Sequence, residues 1–313
     1  MTNNYVRFWG VRGSYPAPFA THMGYGGNTP CVEVRLGEHL IVLDAGTGII
    51  PLGNQLMAQS EIRHVHIVLS HYHWDHISGL PFFVPAFVPG WRISIYGPAE
   101  TPEKLAYNIS QQMKAPYFPV EVETWLADIS YHTHGTKPFE IGPARLQSFP
   151  VHHPGTTLGY RLEFEGKRLV YAPDNELQFI RQAIDDRKAE FDDEERALLD
   201  EMIVEQYNKG IEFMSNADML IHDAQYTPDD YKKKRGWGHS CYEETITSAI
   251  DAGVKCLYLF SHDPNYNDAK LDQIAAEADE LVATKKTDLG CFLARETMQI
   301  SFDANRMAPG PSS

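Results

Sequence analysis

The chain has 313 residues, of which 43% are hydrophobic, 22% charged and 12% aromatic, which excludes a disordered chain and leaves room for one large core or two modest domains. A formal net charge of −15 disfavours a sequence-independent grip on a phosphate backbone. No stretch approaches the roughly 18 apolar residues of a membrane span, and the start, MTNNYVRFWGVRG, has no signal-like apolar run. The four cysteines, Cys31, Cys241, Cys256 and Cys291, form no C-x-x-C pair and read as reduced residues of a cytoplasmic protein.

In chain order, 6–10 reads as a strand, and 31–36 and 39–44 as a hairpin turning at Gly37-Glu38. Residues 64–70 and 91–97 are further strands. Thr101-Pro102-Glu103 opens a helix reaching about Met113, with a capping threonine and proline at the first helical position. The pattern then repeats: a strand at 144–151, a hairpin over 158–172 turning at Glu165-Gly166, and buried strands at 219–222 and 255–261. Helices are expected at 241–252 and 267–284. Strands interleaved with helices give a layered α/β fold. Residues 176–216 differ: Phe179, Ile180, Ile184, then Leu198, Leu199, Met202 and Ile203 suggest two amphipathic helices inserted into one domain spanning 1–313. The insertion reads as packing, as a lid, or as the arm of a homodimer. From about 303 the chain reads as a frayed tail.

The chemistry is concentrated after the 64–70 strand. His71, His73, Asp75 and His76 place three imidazoles and a carboxylate within six residues. These are the donors a borderline cation such as Zn²⁺ prefers. A strand-to-helix turn sends His71 and His73 one way and Asp75 and His76 the other, enough to start two ion sites. The remaining ligands must come from other strand ends at the same sheet edge. His152-His153 follows 144–151, Asp174 follows the hairpin, and His262 follows 255–261.

LSHYHWDH and the landmarks after it resemble the metallo-β-lactamase superfamily over nearly the whole chain except 176–216 and the tail. The resemblance implies a four-layer αββα sandwich and two divalent ions, Zn²⁺ first and Mn²⁺ or Fe as alternatives. It implies that His71, His73 and His153 bind one ion and that Asp75, His76 and His262 bind the other. Asp174 and a hydroxide would bridge the two. His153 is preferred to His152 because it stands six residues before Gly159-Tyr160, as in the family run.

The metal motif does not choose a branch of the superfamily. The turn Asp44-Ala45-Gly46-Thr47-Gly48 resembles the Gly-rich turn of the tRNase Z group. Its Gly46, Thr47 and Gly48 amides are candidates for binding a phosphoryl group. Ala217–Ala224 and Gly238-His239-Ser240 resemble the same group's acid relay, in which Asp223 orients His239 and His239 protonates the leaving oxygen. The long tRNA-gripping arm of that group is missing between His153 and Asp174. This shape is similar to the small cyclic-phosphodiesterase branch.

The expected function is hydrolysis of small or cyclic phosphodiesters by attack of a metal-bridging hydroxide, with Asp75 as ligand and proton acceptor and with no tRNA or membrane partner. A lactonase or thioesterase using the same metals is the alternative. His222 and the basic run Lys232–Arg235 are open: each is either structural or part of the site. Trp74, Tyr25 and Trp237 are candidates for stacking on a substrate ring or for core packing.

Overall fold

The computed structural model describes residues 4–302 and 307–309, apart from 60, 186, 188 and 189. A first seven-stranded sheet contains β1 (Tyr5–Gly10), β2 (Cys31–Leu36), β3 (His39–Leu43), β4 (His64–Val68), β5 (Arg92–Tyr96), β6 (Asp128–His132) and a late strand, β14 (Gln299–Ser301). A second contains β7 (Phe139–Ile141), β8 (Ala144–Pro150), β9 (Leu158–Phe164), β10 (Lys167–Ala172), β11 (Met219–Asp223), β12 (Cys256–Phe260) and β13 (Gly290–Leu293). The spatial orders are β14-β1-β2-β3-β4-β5-β6 and β13-β12-β11-β10-β9-β8-β7. Strands β3 to β6 pair in parallel, as do β10 to β13.

Parallel strands covered on both faces read as apolar runs rather than strict alternation. In β12, Cys256, Tyr258 and Phe260 face the core between the sheets, whereas Leu257 and Leu259 join an outer cluster with Ile246 and Leu271. The helices α6 (Tyr242–Asp251) and α7 (Asp268–Lys285) supply that outer layer. On the other side, α1 (Ile49–Gln59) and α3 (Pro102–Gln111) bury Leu52, Leu56, Leu105 and Ile109 against Val65, Ile67, Ile93 and Ile95. The result is the expected αββα order. Thr101 caps α3 as read from sequence, its hydroxyl accepting from Lys104 N at 3.2 Å.

The strands at the outer ends of the two sheets, β6, β7, β13 and β14, were not anticipated. The insertion forms α4 (Phe179–Asp185) and α5 (Asp193–Met214). Asp192 and Glu195 form a capping box that starts α5. The expected apolar stripe is largely outward: Leu198 is 60% exposed and Met202 51%, while Ile203 is buried. Residues 303–306 and 310–313 of the expected tail lie outside the described residues. Within the tail Met307 is buried, and its carbonyl accepts from the Tyr258 hydroxyl at 2.9 Å. No described helix is long and apolar enough to cross a membrane.

Candidate metal centre

The ends of β4, β8 and β10 deliver the ligand-type residues to one edge of the sheets. After β4 the chain passes through Ser70–His73 into a single helical turn, α2 (Trp74–Ile77). The helical turn puts Asp75 and His76 inside and leaves Trp74 81% exposed. Three imidazole nitrogens converge on one oxygen, Asp174 Oδ2: His76 Nε2 at 3.2 Å, His153 Nε2 at 3.5 Å and His71 Nε2 at 3.6 Å. His73 Nδ1 lies 2.9 Å from His153 Nε2, and Asp75 Oδ2 lies 3.4 Å from His76 Nε2. Two ligand groups result, His71/His73/His153/Asp174 and Asp75/His76/Asp174, with Asp174 common to both.

These residues fit a metal. His71 Nε2 is buried with no hydrogen-bond partner, an orphaned lone pair or proton that such a site would otherwise leave unsatisfied. The opposite nitrogens are already held. His76 Nδ1 meets Asp44 Oδ2 at 2.7 Å, His153 Nδ1 meets the Gly238 carbonyl at 2.8 Å, and His71 Nδ1 meets Ser70 Oγ at 2.9 Å. Such partners fix the ring and tautomer of metal-binding histidines. The donor separations match the edge of a tetrahedron with arms of about 2.0–2.1 Å, roughly 3.3 Å. Gly238 has φ +89, and a Cβ there would stand 2.2 Å from His153 Nδ1, so only glycine brings its carbonyl to that ring.

Beside the His153 end lies the Asp223–His239 pair. Asp223 is fully buried. Its Oδ2 accepts from His239 Nδ1, Asn175 N and Ser240 N, each at 3.1 Å. His239 meets His153 edge-on at 5.1 Å between ring centroids. Burial pushes the His239 pKa down, but the Asp223 and Asp174 carboxylates outweigh it and raise the value to about 9. Bound cations beside the ring would oppose that rise.

Residues 39–262, more than half of the chain, match the family described as Beta-lactamase superfamily domain. The chain belongs to the metallo-β-lactamase superfamily. Ribonuclease Z of Picrophilus torridus is 24% identical over 95% of this chain and 96% of its own length. The metallo-β-lactamase fold protein YhfI of Bacillus subtilis superposes with a TM-score of 0.65 at 19% identity, covering 96% of this chain and 100% of that one. A diphosphatase from the PhnP family gives 0.60 at 17% identity, covering 97% and 99%. This superfamily member is a metal-dependent hydrolase, with a His/Asp cluster able to hold metal ions.

Two expectations change within this superfamily site. His262 joins neither ligand group; its Nε2 lies 2.8 Å from the Ala294 carbonyl and its ring meets Tyr25 edge-on. Its neighbour Ser261, at φ +59, instead directs Oγ to Asp174 Oδ1 at 3.4 Å. The Gly46–Gly48 turn offers no free amide for a substrate. Gly46 N donates to the Pro30 carbonyl, Thr47 N to Thr29 Oγ1 and Gly48 N to the Thr29 carbonyl. The turn's contribution is Asp44, which holds His76.

The open residues also resolve. His222 is buried between Asn175 Nδ2 at 3.0 Å and the Asp223 carbonyl at 2.7 Å, and burial lowers its pKa to about 4, so it is a neutral structural ring. In the basic run, Lys232 pairs with Asp229 at 2.9 Å and Lys234 with Asp263 at 2.6 Å. Tyr25 is buried, whereas Trp237 is 62% exposed beside the His239 loop.

Two residues were missed. Glu176 accepts from Gly236 N and Gly238 N, both at 2.8 Å, and from the Tyr231 hydroxyl at 3.2 Å, so it buckles the loop that carries His239. Ser14 N donates to Asp75 Oδ2 at 2.7 Å. Both were visible only as an acid two residues after Asp174 and as the serine of the opening GVRGS run. Finally, a cleft of about 580 Å³ has His71 and His73 on one wall and Tyr72, Lys104, Asn108 and Thr156 among the rest.

Proposed function

We propose that the protein hydrolyses small phosphodiesters, cyclic ones included, with two divalent ions, Zn²⁺ first, held by His71, His73 and His153 and by Asp75 and His76, with Asp174 between them. The observation that supports this reading is the buried Asp223–His239 pair set against His153, an imidazole–carboxylate pair able to protonate a leaving alkoxide. When bound, the ions supply a nucleophilic hydroxide at neutral pH and neutralise charge on the phosphoryl oxygens.

The chain's own residues do the rest. Asp174 and the histidines fix the ions. Ser14 N leaves one oxygen of Asp75 oriented, and Asp75 accepts the proton released by the nucleophile. Asp223 holds His239 through Nδ1, and the ring's other nitrogen, Nε2, gives its proton to the departing oxygen. The cleft beside His71 and His73 receives the ester group, Lys104 being the one Lys or Arg among the described residues of its wall.

The interval between His153 and Asp174 holds only the β9–β10 hairpin and the net charge is −15, both of which favour a small substrate over a tRNA. A second reading, cleavage of an RNA, is favoured by the similarity to ribonuclease Z. The deciding experiment assays the metal-loaded protein on cyclic nucleotides, cyclic sugar phosphates, bis-p-nitrophenyl phosphate, a homoserine lactone, a thioester and a tRNA precursor. Turnover of the diesters without cleavage of the precursor supports the proposal. Efficient precursor cleavage at physiological salt overturns the size argument, and faster lactone or thioester turnover overturns the reaction class.

A further inference from the structure

A separate cavity of about 260 Å³ lies beneath the helical insertion. Leu177, Ile180, Ile203, Ile211 and Met214 form its insertion side, and Phe149, Pro150 and Val151 form the side belonging to the β8 end. An engineered apolar cavity of about 150 Å³ holds benzene, so this one takes a larger body such as a medium alkyl chain.

Two observations point to a ligand rather than a packing fault. The first is Gly210, in the interior of the 22-residue helix α5. Glycine weakens a helix interior, and no close neighbour requires it here, since a Cβ would meet nothing within 4 Å. Gly210 lines the cavity, and its missing side chain keeps the space open.

The second is charge. The chain has 42 acidic against 27 basic residues, yet the described residues lining this cavity include Arg181 and Lys209 and no carboxylate. Lys209 is paired with Glu205 at 2.7 Å, and no described carboxylate pairs with Arg181. Each of the other four cavities described has at least one Asp or Glu on its wall.

The far wall leads to the metal centre. His152 and Asn175 both line the cavity, and they are the chain neighbours of His153 and Asp174. Asn175 Oδ1 accepts from His152 N at 3.0 Å, its Nδ2 lies 3.0 Å from His222, its N donates to Asp223, and its carbonyl accepts from Ser240 Oγ at 2.6 Å. A body pressed on this wall touches the residue that ties the metal ligands to the acid relay.

We infer that the cavity is a binding site for a small amphipathic monoanion, an alkyl or aryl carboxylate with its chain among the isoleucines and its head at Arg181, and that its occupancy is felt at the metal centre through Asn175. The binding half stands on the cavity alone; the coupling half rests on the hydrolase reading above.

The probes are octanoate and, as the neutral body of equal length, octanol. Calorimetry is run on metal-loaded protein and on protein stripped with a chelator, because a carboxylate sitting on the ions would need them. Octanoate should bind one per chain in both forms, at least tenfold tighter than octanol. Gly210→Phe fills the space and should abolish binding while circular dichroism and the melting temperature show a folded protein. The double variant Arg181→Gln/Lys209→Gln should bring octanoate down to the level of octanol. Saturating octanoate should change kcat on bis-p-nitrophenyl phosphate at least twofold in the wild type and leave Gly210→Phe unchanged.

Binding that is lost on chelation, or that survives Gly210→Phe, overturns the site. Binding with no change in kcat overturns the coupling alone. If no diester is turned over, the phosphodiesterase reading fails and calorimetry still decides the cavity.

Discussion

Asp44 gives the sharpest test of how the site is held. Its carboxylate is fully buried and surrounded by donors: Ser70 N at 2.7 Å on Oδ1, and His76 Nδ1 at 2.7 Å, Ser70 Oγ at 2.8 Å and Tyr171 OH at 2.8 Å on Oδ2. Asp44→Asn keeps the shape and replaces one acceptor by an NH₂ group. With the NH₂ at the Oδ1 place it faces the Ser70 amide, two donors meet, and the buried mismatch costs about 1–3 kcal/mol of stability. With the NH₂ at the Oδ2 place the two hydroxyls can turn to accept, but His76 cannot. Its proton must move to Nε2, the nitrogen aimed at Asp174, and that nitrogen then has no lone pair for an ion. Loss of such a supporting partner weakens metal affinity about 10–100-fold, or about 1.4–2.7 kcal/mol. The effect should fall on the Asp75/His76 ion and spare the His71/His73/His153 ion. Elemental analysis after dialysis against graded chelator should show one ion leaving early and one late. Two ions retained with wild-type affinity, together with an unchanged urea midpoint of the stripped protein, would refute this account of Asp44.

Replacing Asp174 by Ala should instead weaken both ions together, because it belongs to both ligand groups; dialysis that removes only one would show it is no bridge. His239→Ala should lower turnover of poor leaving groups by about 10²–10⁴-fold while leaving p-nitrophenolate esters much less affected, and an equal loss on both kinds would count against the acid role. His66 tests acid stability. Burial first, then repulsion from His64, His39 and His132, lowers its pKa to about 3. The unfolded chain takes the proton first, near the ordinary value of about 6.5. Stability is therefore full above about 6.5 and falls as the pH drops toward 3, by up to about 1.4 kcal/mol per pH unit for one such group. Urea titrations of His66→Phe between those limits should show a shallower slope, and a slope equal to the wild type would remove His66 from the acid response.

Much of this was legible because each ligand-type residue follows directly on a β-rich run. His71, His153 and Asp174 stand just past the ends of β4, β8 and β10, so strand pattern and donor chemistry located the site together. The Asp223–His239 contact was legible for a similar reason, Asp223 being the last residue of β11. The turn at Gly46–Gly48 misled because glycines announce a tight turn without saying whether its amides are free; here Pro30 and Thr29 take them. His262 follows β12 as expected, but a left-handed residue at Ser261 decides which of two neighbouring side chains reaches Asp174, and spacing carries no such information. In α5 the helical period was right, but period alone does not say which apolar residues are covered: Leu198 and Met202 are largely exposed while Ile203 is buried. Glu176 and Ser14 act through backbone amides of distant loops, contacts that leave no periodic trace.

The order of strands also dictates when the site comes into being. Strand β14 pairs with β1, joining Tyr5 to Ser301, so the first sheet stays open along β1 until residues 299–301 have been made. Every ligand contributed by that sheet is translated by residue 76, yet each group needs Asp174 from the other sheet. A nascent chain emerging from the ribosome therefore exposes His71, His73 and His76 for a long interval as loose imidazoles with no partner carboxylate from β10. Neither ligand group is complete until residue 174 has been made, and an ion arriving before residue 153 would meet two of the four residues of one group and two of the three of the other.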